Sequence, residues 1–182
     1  VRGFGFRADD RMPCLAAFTF DIFLFELLNP LLVGGTVVLY PLQAGVGVGR
    51  LAALLPELTA FHAVPALMRQ VVQTVREGRE RRDLSGLRAV FVGGDAVSSG
   101  LLAEMREVFP EAGIWVLYGP TEGAIICSSY RVPAVPGAVR SAIGRPLPNV
   151  VLHLRDERGN PVAFGIPGEI YIGGSGVARG YW

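Results

Sequence analysis

The amino-acid sequence predicts an α/β fold: a largely parallel sheet flanked by helices over about residues 1–124, then the start of a β-barrel-like, all-β subdomain over about 125–182. Two observations carry that expectation. Up to about residue 124, short apolar or β-branched runs alternate with segments of helical periodicity, the pattern of βα units on a parallel sheet. Beyond it the helical pattern stops, and strand-like runs are separated by Pro- and Gly-rich turns. Composition sets the bound. With 51% hydrophobic residues, the 182-residue chain has enough for a real core and too many for disorder.

The elements follow from local chemistry. Residues 12–19 read as a strand. Residues 21–32 have helical spacing, with Asp21 placed to cap the start and Gly34-Gly35 to stop the helix. Residues 36–40 form a β-branched strand, 48–57 a helix and 60–64 a short strand. Pro65 opens the next helix, as proline does in a first turn, and the pattern runs to about 77. The charged run 76–83 reads as a solvated helix end and loop. Then come a strand at 88–92, an amphipathic helix at 98–108 and a strand at 113–117. Strands at 125–131, 150–155 and 169–172 complete the chain, with Asp156-Glu157-Arg158-Gly159-Asn160 as a hairpin turn.

Several function classes fall away. The net charge is +1 and no basic cluster is interleaved with aromatics, so no nucleic-acid partner is expected. The greasiest stretch, 22–40, contains Glu26, Asn29, Pro30 and Gly34-Gly35; it reads as a buried helix and strand, not a membrane span. Cys14 and Cys127 are too few and too far apart for a metal site or a disulfide framework. They read as core residues, and with no cleavable signal pattern a cytoplasmic location is expected. All 17 basic residues are Arg, so this chain cannot complete a lysine-dependent step. His62 and His153 read as structural, since neither has a nearby nucleophile or a ligand-spaced partner. Val1 in place of Met, and a glycine-rich run just before Trp182, suggest an internal piece of a longer polypeptide.

In an open parallel sheet, ligands bind at the carboxyl ends of strands. Three segments sit at such ends: Phe20-Asp21, Gly93-Gly94-Asp95-Ala96, and Tyr118-Gly119-Pro120-Thr121-Glu122. The last suits a nucleotide. A ring can lie against a base, a Gly-Pro turn brings backbone close to a ligand, and an acid can hold a metal beside phosphate. Taken singly, each has a plainer reading: Gly93-Gly94 as a strand-to-helix turn, Asp21 and Thr121 as helix caps.

Together they carry a resemblance. Tyr118 to Glu122 resembles a core motif of the adenylate-forming, AMP-binding enzymes, in the subset that builds nonribosomal peptides. Phe20-Asp21 followed by Phe25-Glu26 is similar to the motif before it in that family. Gly168-Glu169-Ile170-Tyr171-Ile172-Gly173-Gly174-Ser175-Gly176-Val177-Ala178-Arg179-Gly180-Tyr181-Trp182 is similar to a third. The resemblance implies a ligase that activates a carboxylate with ATP to an acyl-adenylate and pyrophosphate. The acyl group then passes to a phosphopantetheine thiol on a carrier domain, with condensation domains as further partners. By similarity Tyr118 stacks on adenine, Gly94, Asp95 and Ala96 wall the base, and Gly119 and Pro120 complete the turn. Thr121 bonds the α-phosphate and Glu122 ligates Mg2+.

The resemblance also implies that Asp21 pairs with a substrate α-ammonium, which favours an α-amino acid. The side-chain pocket maps onto Asp21, Ile22, Phe25, Ala63, Phe91, Gly93, Leu117, Ile125 and Ile126. Beyond Asp21 these are apolar, so a hydrophobic amino acid is expected: a polar side chain would lose its water for no partner, at about 1–3 kcal/mol per unmet bond. A phosphate loop before Val1, and a ribose-binding aspartate and a mobile lysine-bearing domain after Trp182, are further implied. The 182 residues alone are therefore expected not to adenylate. The rival expectations are an acyl-CoA synthetase or aryl-acid ligase of the same superfamily, and a degenerate, non-catalytic spacer.

Overall fold

The computed structural model describes residues 3–40, 47–78, 83–134 and 141–182. Strands β1 (Arg11–Cys14) and β2 (Thr36–Leu39) pair in parallel across helix α1 (Ile22–Leu31). The central sheet contains β3 (Ala60–Ala63), β4 (Ala89–Gly93), β5 (Gly113–Tyr118), β6 (Ser128–Arg131) and β7 (Arg145–Pro146), in that spatial order. The first three are parallel, and β6 and β7 join antiparallel. Helices α2 (Val48–Leu54), α3 (Pro65–Glu77) and α4 (Ser99–Val108) lie between the strands in sequence. Strands β8 (Val150–Arg155) and β9 (Glu169–Gly174) form a separate antiparallel pair.

The pleat divides the core in two. On one face Phe61, Val90, Val92, Ile114 and Val116 pack against apolar residues of α2, α3 and α4, among them Leu51, Met68, Val71, Leu102 and Met105. On the other face Ala60, Ala89, Phe91 and Leu117 pack with Met12 and Phe25. Phe61, Phe91, Leu102 and Ile114 are fully buried, and each such side chain contributes about 1.5–3 kcal/mol. An ion pair ties the layers at their lower edge: buried Asp10 pairs with Arg88 and accepts from the Thr59 hydroxyl at 2.6 Å.

The expected alternation of strand and helix is present, with differences that have local causes. The first strand stops at Cys14 rather than reaching 19, because the Leu15 and Ala16 N–H groups donate to the Glu26 carboxylate instead of a ladder. The helix expected over 48–57 ends as a 3₁₀ turn at Leu55–Glu57, where Pro56 cannot donate. Asp21 occupies the N-cap position of α1 but makes no capping bond, whereas Ser98 caps α4 by accepting from the Leu101 N–H at 3.2 Å. The strand expected from 125 begins at Ser128, since Ala124 and Ile125 have positive φ. It then pairs with β5, so β6 and β7 extend the central sheet, and β8–β9 form a sheet of their own. The Asp156–Asn160 turn forms, with Asp156 Oδ1 accepting from the Asn160 N–H at 2.8 Å, but it closes only an Arg155–Pro161 bridge; the main partner of β8 is β9. The centre of the charged run, 79–82, lies outside the described residues.

Candidate functional site

The carboxyl ends of β4 and β5 form one cavity of about 750 Å³. Gly94, Asp95, Ala96, Tyr118, Gly119 and Pro120 all line it. Their arrangement follows from backbone chemistry. Gly94 has φ +87°, a left-handed conformation that L side chains rarely adopt. Gly119 sits where the chain doubles back: a Cβ there would lie 2.5 Å from the Ile125 carbonyl and 2.7 Å from the Cys127 nitrogen. The Cys127 N–H donates to the Tyr118 carbonyl at 2.7 Å, which closes that fold-back. Asp95 turns onto its own loop and accepts from the Ala96 N–H at 2.6 Å. Ser141, Ala142 and Ile143 supply another wall. Ser141 donates to the Val97 carbonyl at 2.6 Å, and Ser128 to that of Ile143 at 2.8 Å. No local pattern in the sequence marks this wall.

Thr121 and Glu122 lie in an exposed 3₁₀ turn, Thr121–Gly123, next to the cavity. Neither Thr121 nor Glu122 is among the residues that line it. The chain after β9 returns to this turn, with the Ala178 N–H donating to the Glu122 carbonyl at 2.7 Å. Hydrogen bonding to Glu122 and its charge push the Tyr181 phenol up in pKa, with a further contribution from Asp21. Among the described residues no group of three or more His, Cys, Asp and Glu is placed to hold a metal ion. Glu122 is a lone carboxylate, which fits Mg2+, an ion held by one or two carboxylates while phosphate oxygens and water complete its shell.

The pocket residues distribute in two places. Phe25, Phe91 and Leu117 are core residues, with Ile22, Ile125 and Ile126 packed against them. Phe4 and Phe6, which the sequence did not single out, fill this cluster. Phe4 meets Phe25 at 5.8 Å and Phe91 at 5.4 Å edge-on, and Phe6 stacks on Phe91 at 5.6 Å. Gly93 and Leu117 are partners in adjacent strands on the same face. Ala63 belongs to the opposite core, against the helices; its neighbour His62 takes the face shared with Phe91 and Trp115, in register with them. A second cavity, of about 520 Å³, is lined by Ile22 and Ala63 together with Phe20, Glu26 and His62.

Glu26 and His62 are each 2% exposed at the side chain, and His62 Nδ1 lies 2.8 Å from Glu26 Oε1. Glu26 Oε2 accepts from the N–H groups of Leu15 at 2.6 Å and Ala16 at 2.8 Å. An acceptor-only carboxylate fits this set of donors, and it fixes the imidazole proton on Nδ1. Nε2 of His62 is buried with no protein partner. Burial, with Glu26 nearby, raises the Cys14 thiol to about 11.

Known proteins share this fold. The family described as "AMP-binding enzyme" matches residues 1–182. Tyrocidine synthase 3 of Brevibacillus parabrevis is 34% identical over 98% of this chain, which spans 3% of that protein. Phosphinothricin tripeptide synthetase PhsB of Streptomyces viridochromogenes is 36% identical over 89% of the chain, which spans 13% of it. Among solved structures, the nonribosomal peptide synthetase FmoA3 (S1046A) superposes with TM-score 0.87 at 26% identity, covering 99% of this chain and 20% of that one. The Klebsiella oxytoca NpsA N-terminal subdomain, in complex with 3-hydroxybenzoyl-AMSN, superposes with TM-score 0.82 at 27% identity, covering 100% of this chain and 46% of that one. The chain thus spans less than half the length of each of these proteins, while the family match spans all of it: these 182 residues belong to the AMP-binding enzyme family, among relatives that are nonribosomal peptide synthetases.

Proposed function

We propose that the protein carrying this chain activates an amino acid with a hydrophobic side chain. ATP and the amino acid give an aminoacyl-adenylate and pyrophosphate, and the acyl group passes to a phosphopantetheine thiol of a carrier domain. The observation that carries the reading is spatial: the ends of β4 and β5 line one cavity, and the turn that bears Thr121 and Glu122 follows directly on Pro120 of that lining. In this reading the Tyr118 ring lies against adenine and the 94–96 backbone walls it. Thr121 donates its hydroxyl to the α-phosphate, and Glu122 holds Mg2+. Bound there, Mg2+ offsets negative charge on the phosphate oxygens as the acyl–phosphate bond forms. Asp21, which spends no bond on capping α1, pairs with the substrate α-ammonium. Ile22, Phe25, Phe91, Gly93, Leu117, Ile125 and Ile126 form the apolar side of the acid pocket, and Ala63 backs it from the next layer. In this reading the 182 residues, which contain no lysine, do not adenylate by themselves.

ATP–pyrophosphate exchange by the full-length protein, with a panel of amino, aryl and fatty acids, tests this. Hydrophobic amino acids should support exchange, and Asp21→Ala should abolish it. Exchange with aryl or fatty acids alone would establish the acyl-CoA synthetase or aryl-acid ligase reading instead. No exchange, and no binding of Mg2+–ATP, would leave a non-catalytic spacer.

A further inference from the structure

The turn between Glu122 and β6 is strained, and its strain has a visible holder. Ala124 has φ 58° and ψ 55°. Ile125 follows with φ 74°, and the Ile126 N–H donates back to the Ala124 carbonyl at 2.9 Å. A three-residue γ-turn of positive φ is rare and strained. A β-branched residue in it is a genuine outlier. Among the described residues only one other non-glycine has positive φ: Asn149, a residue type that tolerates it. Such strain persists only where the surroundings over-determine the backbone. Here they do. From inside, the Ala124 N–H donates to the Thr121 carbonyl at 3.1 Å and the Cys127 N–H to Tyr118 at 2.7 Å. From outside, the segment after β9 lies across the turn: Gly176 sits against Ala124, and the Ala178 N–H binds the Glu122 carbonyl at 2.7 Å.

We propose that Ala124 is a positioning residue, and that the segment after β9 clamps its strained turn. The clamped turn fixes Thr121 and Glu122 on its one side and Ile125 and Ile126 on its other. The inference rests on the reading of those four residues given above. It differs from a plain structural role in sign. If the left-handed backbone were merely tolerated, glycine at 124 would improve the protein in every respect. If the turn positions the site, glycine relieves the strain and loosens the site at the same time.

The test uses the full-length protein and ATP–pyrophosphate exchange, with Tm measured in parallel. Ala124→Gly should keep or raise Tm, because glycine adopts this φ freely, while KM for the amino acid and for Mg2+–ATP rises about fivefold from the added backbone freedom. Ala124→Asn, which accepts the left-handed backbone without that freedom, should stay within about twofold of the parent. Ala178→Pro removes the N–H that binds Glu122 and should raise KM for Mg2+–ATP about fivefold, with kcat the lesser change. Parental KM values in both Ala124→Gly and Ala178→Pro, or losses that only follow a lower Tm, would overturn the proposal. Glu122→Gln separates the two levels. If it retains full Mg2+-dependent exchange, the reading of the site fails. If it abolishes exchange while the Gly and Pro variants stay parental, only the clamp fails.

Discussion

Replacing Glu26 by Ala removes one acceptor and strands three donors: the buried Leu15 N–H and His62 Nδ1–H, and the half-buried Ala16 N–H. Each unmet donor costs about 1–3 kcal/mol, but the three share one carboxylate and do not add. With two of the donors fully buried and the third half-buried, we take about 3–5 kcal/mol for Glu26→Ala. At about 1.4 kcal/mol per power of ten, the segment that links β1 to α1 should open two to nearly four powers of ten more often. Hydrogen–deuterium exchange of the full-length protein, read on peptides that contain Leu15 and Ala16, measures this directly. The double replacement Glu26→Leu with His62→Leu removes the carboxylate and the imidazole together and should recover much of the loss, although the two N–H groups stay unmet. Parental protection of Leu15 and Ala16 in Glu26→Ala would refute the reasoning. So would a double variant that exchanges as fast as the single one, since the cost would then not come from an uncompensated imidazole.

Two further outcomes follow from named contacts. Arg106 donates to the carbonyls of Phe109, Pro110, Ala112 and Val132, tying the end of α4 to the chain beyond β6. Arg106→Gln should lower stability by about 1.5–3 kcal/mol, and Arg106→Lys should not restore it, because an ammonium lacks the planar fork; thermal unfolding checks both. The Cys14 thiol, held near 11 against an ordinary 9.0, should react with a thiol reagent at pH 8 about a hundredfold more slowly than in the unfolded chain. Because the folded pKa is the higher one, its stabilisation is complete below pH 9 and is lost as pH rises toward 11; unfolding measured across that window should show the decline.

Local pattern was enough for most elements and for the nucleotide side of the candidate site. β3, β4 and β5, the helices between them and the Tyr118–Glu122 turn all announce themselves through periodicity, capping residues and Gly-Pro chemistry, which act within a few residues. The proposed acid pocket was only partly legible. In β3 every residue is buried, so alternation gave no sign of which face each takes, and His62 rather than Ala63 turned out to share the face of Phe91. The partner of His62 lies 36 residues away in α1, a distance no spacing rule spans.

What the sequence by itself determined is therefore the alternation of strands and helices, the order of three candidate site segments, and the absence of any lysine. Tertiary structure alone decided that β6 and β7 close the central sheet, that Phe4 and Phe6 fill the cluster around Phe91, and that the chain after β9 holds the turn bearing Glu122. The physical reason is one of range. Propensity, capping and turn chemistry act between neighbours in the chain, whereas pairing, desolvation and close packing act between residues that become neighbours only on folding.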